Sequence, residues 1–353
     1  MMRFTSAAAL ALSGALVLSG CQATEPESAV TPSSPTEESQ TESGGEIQLD
    51  ADLWPLTGSA LNGGASSAPA LAAKIDNHPL ARPQVGLDAA DIVFEQLVEG
   101  GYTRFLAIWH SSVPAEIGPV RSIRPMDPDI VSPFGGIIAY AGGQQRFVEA
   151  MLDAPVASAI HGQSDVDDFF YRTSDKVIPH NVIVRAPELV GYFADRSGPP
   201  PQFNYSTGLA ESSAAERGEE LSALSVFFSQ ISDPIWEWDD QQGVFTRLQN
   251  SNLAPHIDSS GAQISATNVV VLQVRIEVIQ DIPTTQLVGE GEGVIATGGK
   301  VLPIRWSKQA PDRPIELSDA SGARVLLAPG QTWVELIPSE LSEGVPVGSV
   351  SWE

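Results

Sequence analysis

Residues 91–110 read DIVFEQLVEGGYTRFLAIWH. Asp91 to Glu99 is apolar-rich with partial alternation, Gly100-Gly101 interrupts it, and Thr103 to His110 returns as a second apolar run. Two such runs joined by a Gly-Gly pair predict a β-hairpin. Working outward, ALAAKI at 70–75 reads as a buried strand and GIIAYA at 136–141 as another. QQRFVEAML at 144–152 places Phe147, Val148, Met151 and Leu152 at helical spacing. Asn181–Val184 reads as a strand, and 187–194 as a helix opened by Pro187. Strands and helices mix here, so residues 54–195 are expected to form a mixed α/β domain.

Beyond residue 195 the texture changes. Three consecutive prolines and then small and charged residues make 196–220 an expected interdomain linker. From 221 to 353 the apolar runs are short. Strands are expected at 224–228, 235–238, 244–248, 268–278, 300–306, 324–327 and 332–337, with Gly-containing turns between them. No long helical pattern appears, so this domain is expected to be mainly antiparallel β. The whole chain is thus expected to be α+β, with two domains in 353 residues.

The other end gives an address. Arg3 and the apolar run Ala7–Leu18 have the form of a signal peptide, predicted over residues 1–20, and the run is too short for a membrane span of about 20 residues. It ends in Leu18-Ser19-Gly20-Cys21, which resembles the lipobox of bacterial lipoproteins. That resemblance implies cleavage before Cys21 and a diacylglycerol on its sulfur, and hence a protein held on the extracytoplasmic face of the bacterial cell membrane. Residues 21–53 are then the lipidated cysteine and a tether of Ser, Thr, Pro and Glu, which has too little apolar surface to offset the entropy of ordering it. Cys21 is the only cysteine, so no disulfide within the chain and no cysteine-based metal site is expected. The net charge of −25 argues against nucleic acid and against docking on anionic lipid through a polybasic face.

Against that acidity, IGPVRSIRPMDPDI at 117–130 crowds Arg121 and Arg124 between prolines. The flanking segments 74–106 and 169–184 add Asp76, His78, Arg82, Glu95, Glu99, Arg104, Arg172, His180 and Asn181. Guanidinium groups stay charged and grip carboxylate or phosphate with two parallel hydrogen bonds. One reading is an anion-binding cleft. The other is a set of internal ion pairs to Asp127, Asp129, Glu95 and Glu99 that ties loops to the sheet, because buried charges are normally paired.

Several long segments bear on that choice: KIDNHPLARPQVGLDAADIVFEQLVEGGYTRFLAIWHS, IGPVRSIRPMD and PHNV in the first half, and WEWDDQQGVFTRLQNSNLAPHID, KVLPIRWSK and GQTWVEL in the second. They resemble the YerB-like bacterial lipoproteins. The resemblance implies two domains and a lipid anchor, without naming a reaction. Its motif residues Arg104, Arg121, Arg124, His180 and Asn181 coincide with the residues that chemistry picks out.

Other schemes have less support. Gly-x-Ser-x-Gly, HExxH and the P-loop are absent. His161, Asp165 and Asp168 have weak metal spacing and read as a solvated turn, and Trp236, Trp238, Trp306 and Trp333 read as core rather than sugar platforms. The expectation is a non-catalytic protein that binds an anionic cell-envelope component or an envelope protein through Arg104, Arg121, Arg124, His180 and Asn181. It needs no cofactor or metal and touches the membrane through its lipid. The alternative is a hydrolase or transferase on an anionic envelope substrate, with His180 as general acid or base.

Overall fold

A computed structural model describes residues 47, 52–62, 67–250 and 252–353. The predicted signal peptide, Cys21 and nearly all of the tether lie outside the described residues. No helix among the described residues is long and apolar enough to cross a membrane.

Three strands organise the first half: β1 (Leu71–Asp76), β2 (Ile92–Leu97) and β3 (Thr103–Trp109). The hairpin read from 91–110 is present, with β2 and β3 antiparallel and Glu95 opposite Phe105. β3 also pairs antiparallel with β1, which sets Asp76 opposite Arg104. On its other side β1 runs parallel to Ile137–Tyr140, itself parallel to Ala157–Ile160. Every residue of these three strands is buried, as befits strands covered on both faces. The predicted helix lies at Gln145–Leu152 and buries Phe147 and Met151, one turn apart on the same face.

The sheet does not stop at the end of the first half. Thr332–Pro338, near the C-terminus, lies parallel to β2 with Glu335 beside Glu95. Its far side runs parallel to Asn268–Ile279, followed by antiparallel Gly289–Thr297 and Lys300–Lys308. One mixed sheet of 12 strands therefore draws on both halves. Strand far outweighs helix, and the α+β class holds. A second, five-stranded antiparallel sheet contains Ala223–Phe227, Ile235–Asp239 and Val244–Leu248. Trp236 on this sheet sits edge-on to Trp333 of the large one, with ring centroids 5.2 Å apart. Trp236, Trp306 and Trp333 are buried and serve the core.

Residues 196–220 pack against both halves. The Gln202 amide donates to the Pro133 carbonyl, the Tyr205 hydroxyl donates to the Leu56 carbonyl, and Ala214 on the short helix Ser213–Arg217 is fully buried. Besides the unexpected strands Ile282–Gln286 and Ser349–Trp352, two differences from expectation in the second half are informative. Arg324–Leu327 is not a regular strand, because its backbone bonds are divided: Leu327 bonds Asn204 and Ser206, the Leu326 carbonyl accepts from Ser213, and Val325 donates to Leu317. Gly289–Thr297 (GEGEGVIAT) is a strand that its glycines disguised. A Cβ at Gly293 would collide with the Val271 carbonyl of the neighbouring strand, so glycine here permits a close strand approach.

Candidate functional site

The site forms where β1 ends. Ile137–Tyr140 covers the edge of β1 only as far as Ala73. The vacant edge beyond is taken by the segment from the proline-rich stretch: the Asp76 N–H donates to the Pro119 carbonyl at 2.9 Å, and the Arg121 N–H to the Lys74 carbonyl at 2.7 Å. The Val120 N–H in turn donates to the Val182 carbonyl at 2.8 Å, which brings in the segment that carries His180. Three pieces of chain distant in sequence are thus fixed side by side by main-chain hydrogen bonds.

Asp76 is the hub. Its Oδ2 lies 2.6 Å from His180 Nδ1 and 3.1 Å from Arg121 Nε, while Oδ1 accepts the His78 N–H at 3.1 Å. The Arg121 contact is an ion pair without hydrogen-bond alignment. The His78 and His180 rings stack with centroids 4.4 Å apart. His78 Nδ1 accepts from the Leu80 N–H, so the neutral ring carries its proton on Nε2. A neutral His180 would have the opposite tautomer, with Nδ1–H facing Asp76, and its Nε2 has no partner among the described residues. Burial first, then the neighbouring His180, holds the His78 pKa below its ordinary value.

Arg104 and Arg124 flank this hub. Arg104 donates to the Ser122 carbonyl at 2.7 Å, and burial, with Arg124 close by, brings its pKa down to about 10, still charged at neutral pH. Arg124 is more committed: it pairs with Glu99 at 2.8 Å and donates to the carbonyls of Ser122 and Ile123. Arg121 is the open one. Its side chain is 21% exposed, and its two Nη nitrogens have no acceptor among the described residues. The three guanidinium groups face the carboxylates of Asp76 and Glu99, and Arg82 also acts on Asp76 and His78, so positive charge outnumbers negative here in a chain of net charge −25.

Arg104, Arg121, Arg124 and His180 are therefore brought together, and Asn181 is not available to them. Its Oδ1 accepts from Arg172 at 2.7 Å and its Nδ2 donates to the Thr173 carbonyl, closing its own loop. Asp76 and His78 join the site instead, and their position at a strand end, two residues apart, was the signal for them. The aspartates of the proline-rich stretch serve structure: buried Asp127 accepts from Lys74, Gln96 and the Arg124 N–H, and Asp129 faces Lys308. His161 pairs with Asp167 at 3.2 Å, and the described residues contain no group of three metal-capable side chains.

A second polar cluster lies deeper, between the two sheets. Glu95 accepts from Arg247 at 2.6 Å and from Thr103 at 2.6 Å. Arg247 also donates to His256 Nδ1, and His256 Nε2–H donates to the Gln84 side-chain oxygen Oε1. Burial, then Arg247 and Arg82, holds His256 well below its ordinary pKa and keeps it neutral. Glu335, beside Glu95 in the sheet, accepts from the Trp236 indole at 2.8 Å. Burial and then the Glu95 charge raise Glu335 well above the carboxylate range, so it is a neutral acid facing a carboxylate.

Comparison with known proteins adds the family. Residues 56–199 match the family described as "Protein of unknown function (DUF3048) N-terminal domain", and residues 224–334 match its C-terminal domain. "Putative lipoprotein YerB" of Bacillus subtilis (strain 168) is 28% identical over 298 residues, covering 80% of this chain and 86% of that protein. The crystal structure of the YerB protein from Bacillus subtilis has the same fold, with a TM-score of 0.70 at 24% identity, over 85% of this chain and 99% of that one. The chain thus belongs to the two-domain YerB-like family.

Proposed function

We propose that this protein is a lipoprotein anchored through Cys21 on the extracytoplasmic face of the membrane, and that it binds an anionic cell-envelope component at the Asp76–Arg121–His180 cluster. The lipobox-like Leu18–Cys21 and the name of the Bacillus subtilis relative support the anchor. Cys21→Ser is expected to move the protein from the membrane fraction to the soluble one. The observation that carries the binding role is Arg121, whose Nη nitrogens are unclaimed beside Arg104, Arg124 and the two imidazoles. A guanidinium with a free donor pair is ready to take a carboxylate or phosphate. Retention of the protein on purified cell envelope tests this: Arg121→Ala is expected to abolish retention while the chain stays folded, and unchanged retention would reject the role.

A second reading is favoured by one further observation. Asp76 Oδ2 lies 2.6 Å from His180 Nδ1, which in the neutral imidazole leaves Nε2 as a lone pair, the arrangement of a general base positioned by a carboxylate. In that reading the protein is a hydrolase or transferase on the same anionic substrate, with Arg121 stabilising charge that develops in the transition state. His180→Gln then abolishes turnover and spares binding. In the non-catalytic reading no turnover exists to be lost.

A further inference from the structure

We infer that Glu99 is the site's own counter-anion, a built-in carboxylate that the external anion displaces from Arg124, and that the second half of the chain holds it in place. The inference rests on the anion-binding reading above and adds how that site is closed and opened.

The two carboxylates of the cluster are held very differently. The Asp76 side chain is 4% exposed and meets His180, Arg121 and the His78 N–H. The Glu99 side chain is 38% exposed, and beyond its own main chain it bonds Arg124 alone among the described residues. That contact is single. Glu99 Oε2 accepts from Arg124 Nε at 2.8 Å, while Arg124 Nη2, on the same edge of the guanidinium, has no acceptor among the described residues. A ligand that takes Nε and Nη2 together replaces one charge-assisted bond by two. Glu99 can leave at small cost, because ion pairs open to water contribute little. Arg124 does not leave with it. Its Nη1 donates to the carbonyls of Ser122 and Ile123 and its side chain is only 11% exposed, so the vacated edge stays in the cluster.

The hold is at the hairpin turn. Glu99 opens the Gly100-Gly101 turn between β2 and β3, where both glycines have left-handed φ, +73° and +79°. The hydroxyls of Ser229 and Ser232, from the second half of the chain, both donate to the Gly101 carbonyl, at 2.6 and 3.0 Å. Two donors on one carbonyl tie the turn that carries Glu99 to residues 229–232. Displacing Glu99 therefore works against a contact made by the second half, and loosening that contact favours the external anion.

Calorimetric titration of inorganic phosphate into the full chain carrying Cys21→Ser tests the inference. Glu99→Gln is expected to tighten phosphate binding at least about threefold, the effect of removing a unit charge within about 7 Å even at the dielectric of water. Glu99→Asp separates displacement from the mere field of a charge. It keeps the charge but is too short to reach Arg124 from the tied turn, and it is expected to tighten binding as well. Ser229→Ala with Ser232→Ala is expected to tighten binding in the parent chain and to add nothing in Glu99→Gln. Phosphate affinity unchanged in Glu99→Gln, with binding still lost in Arg121→Ala, overturns the displacement and keeps the anion site. Parent affinity in Glu99→Asp beside tighter binding in Glu99→Gln makes Glu99 a bystander charge and overturns the displacement too. A serine-pair effect that persists in Glu99→Gln, or none at all, overturns the hold from the second half. Silence of the parent chain and of both Glu99 variants overturns the anion site itself.

Discussion

The protein builds two constellations from the same residue types, arginine, histidine and carboxylate, on different strands and loops around the same large sheet. One is sealed between the sheets: Glu95, Arg247, His256 and Glu335 are all at most 1% exposed. Apart from the second oxygen of Glu335 and Arg247 Nε, its polar atoms meet protein partners. The other sits at the end of β1, and there Arg121 and His180 keep hydrogen-bonding capacity that no group among the described residues uses. The difference lies in what covers each cluster rather than in its chemistry. A buried ion pair that loses one partner leaves a charge stranded in low dielectric, whereas buried Asp76 has His180 and the His78 N–H besides the 21% exposed Arg121. The sealed cluster is a joint between the two halves of the chain, and the open one is where we propose that an external anion binds.

The sharpest way to break this contrast is to remove one arginine from each cluster. Arg247→Ala strands the Glu95 carboxylate and is expected to lower unfolding stability by about 3–5 kcal/mol in urea titrations. Arg121→Ala leaves Asp76 its contacts with His180 and the His78 N–H, and its stability is expected to fall by about 1 kcal/mol or less. Equal losses in the two variants would erase the distinction.

Titration separates the clusters next. His256 is held neutral in the folded protein, so its contribution is present above pH 6.5 and is lost as pH falls below that value. Glu335 is held protonated, so its contribution is present below pH 4.5 and is lost as pH rises toward its raised pKa. Between these values the two effects oppose one another. Glu335→Gln keeps the Trp236 hydrogen bond and cannot ionise. The stability difference between wild type and this variant is expected to move in favour of glutamine as pH rises, by no more than about 1.4 kcal/mol per pH unit. A pH-independent difference would mean that Glu335 is charged in the fold.

Much of the scaffold was legible in the sequence because its signals are local. The Gly-Gly turn at 100–101 and its flanking apolar runs specify the β2–β3 hairpin, and apolar spacing specifies the helix at 145–152. The open cluster was partly legible as well, because arginines between prolines stand out in an acidic chain. Asn181 shows the limit of that argument: its residue type suits a ligand, but its loop consumes both ends of the amide. The sealed cluster could not be read, since Glu95 and Arg247 meet across 152 positions and only the tertiary fold pairs them. Nor could the parallel insertion of 332–338 beside β2, which no local pattern encodes. The glycine-rich strand at 289–297 failed for a different reason. Composition marks glycine as a breaker, and only the neighbouring strand reveals that close approach requires it.

The most direct measurement is the affinity of the Arg121→Ala full chain for inorganic phosphate, taken together with its urea midpoint. The expected result is a midpoint close to wild type and no measurable phosphate binding. Wild-type affinity in that variant, or a collapse of its midpoint like that of Arg247→Ala, would contradict the assignment of the β1 end as the protein's open anion site.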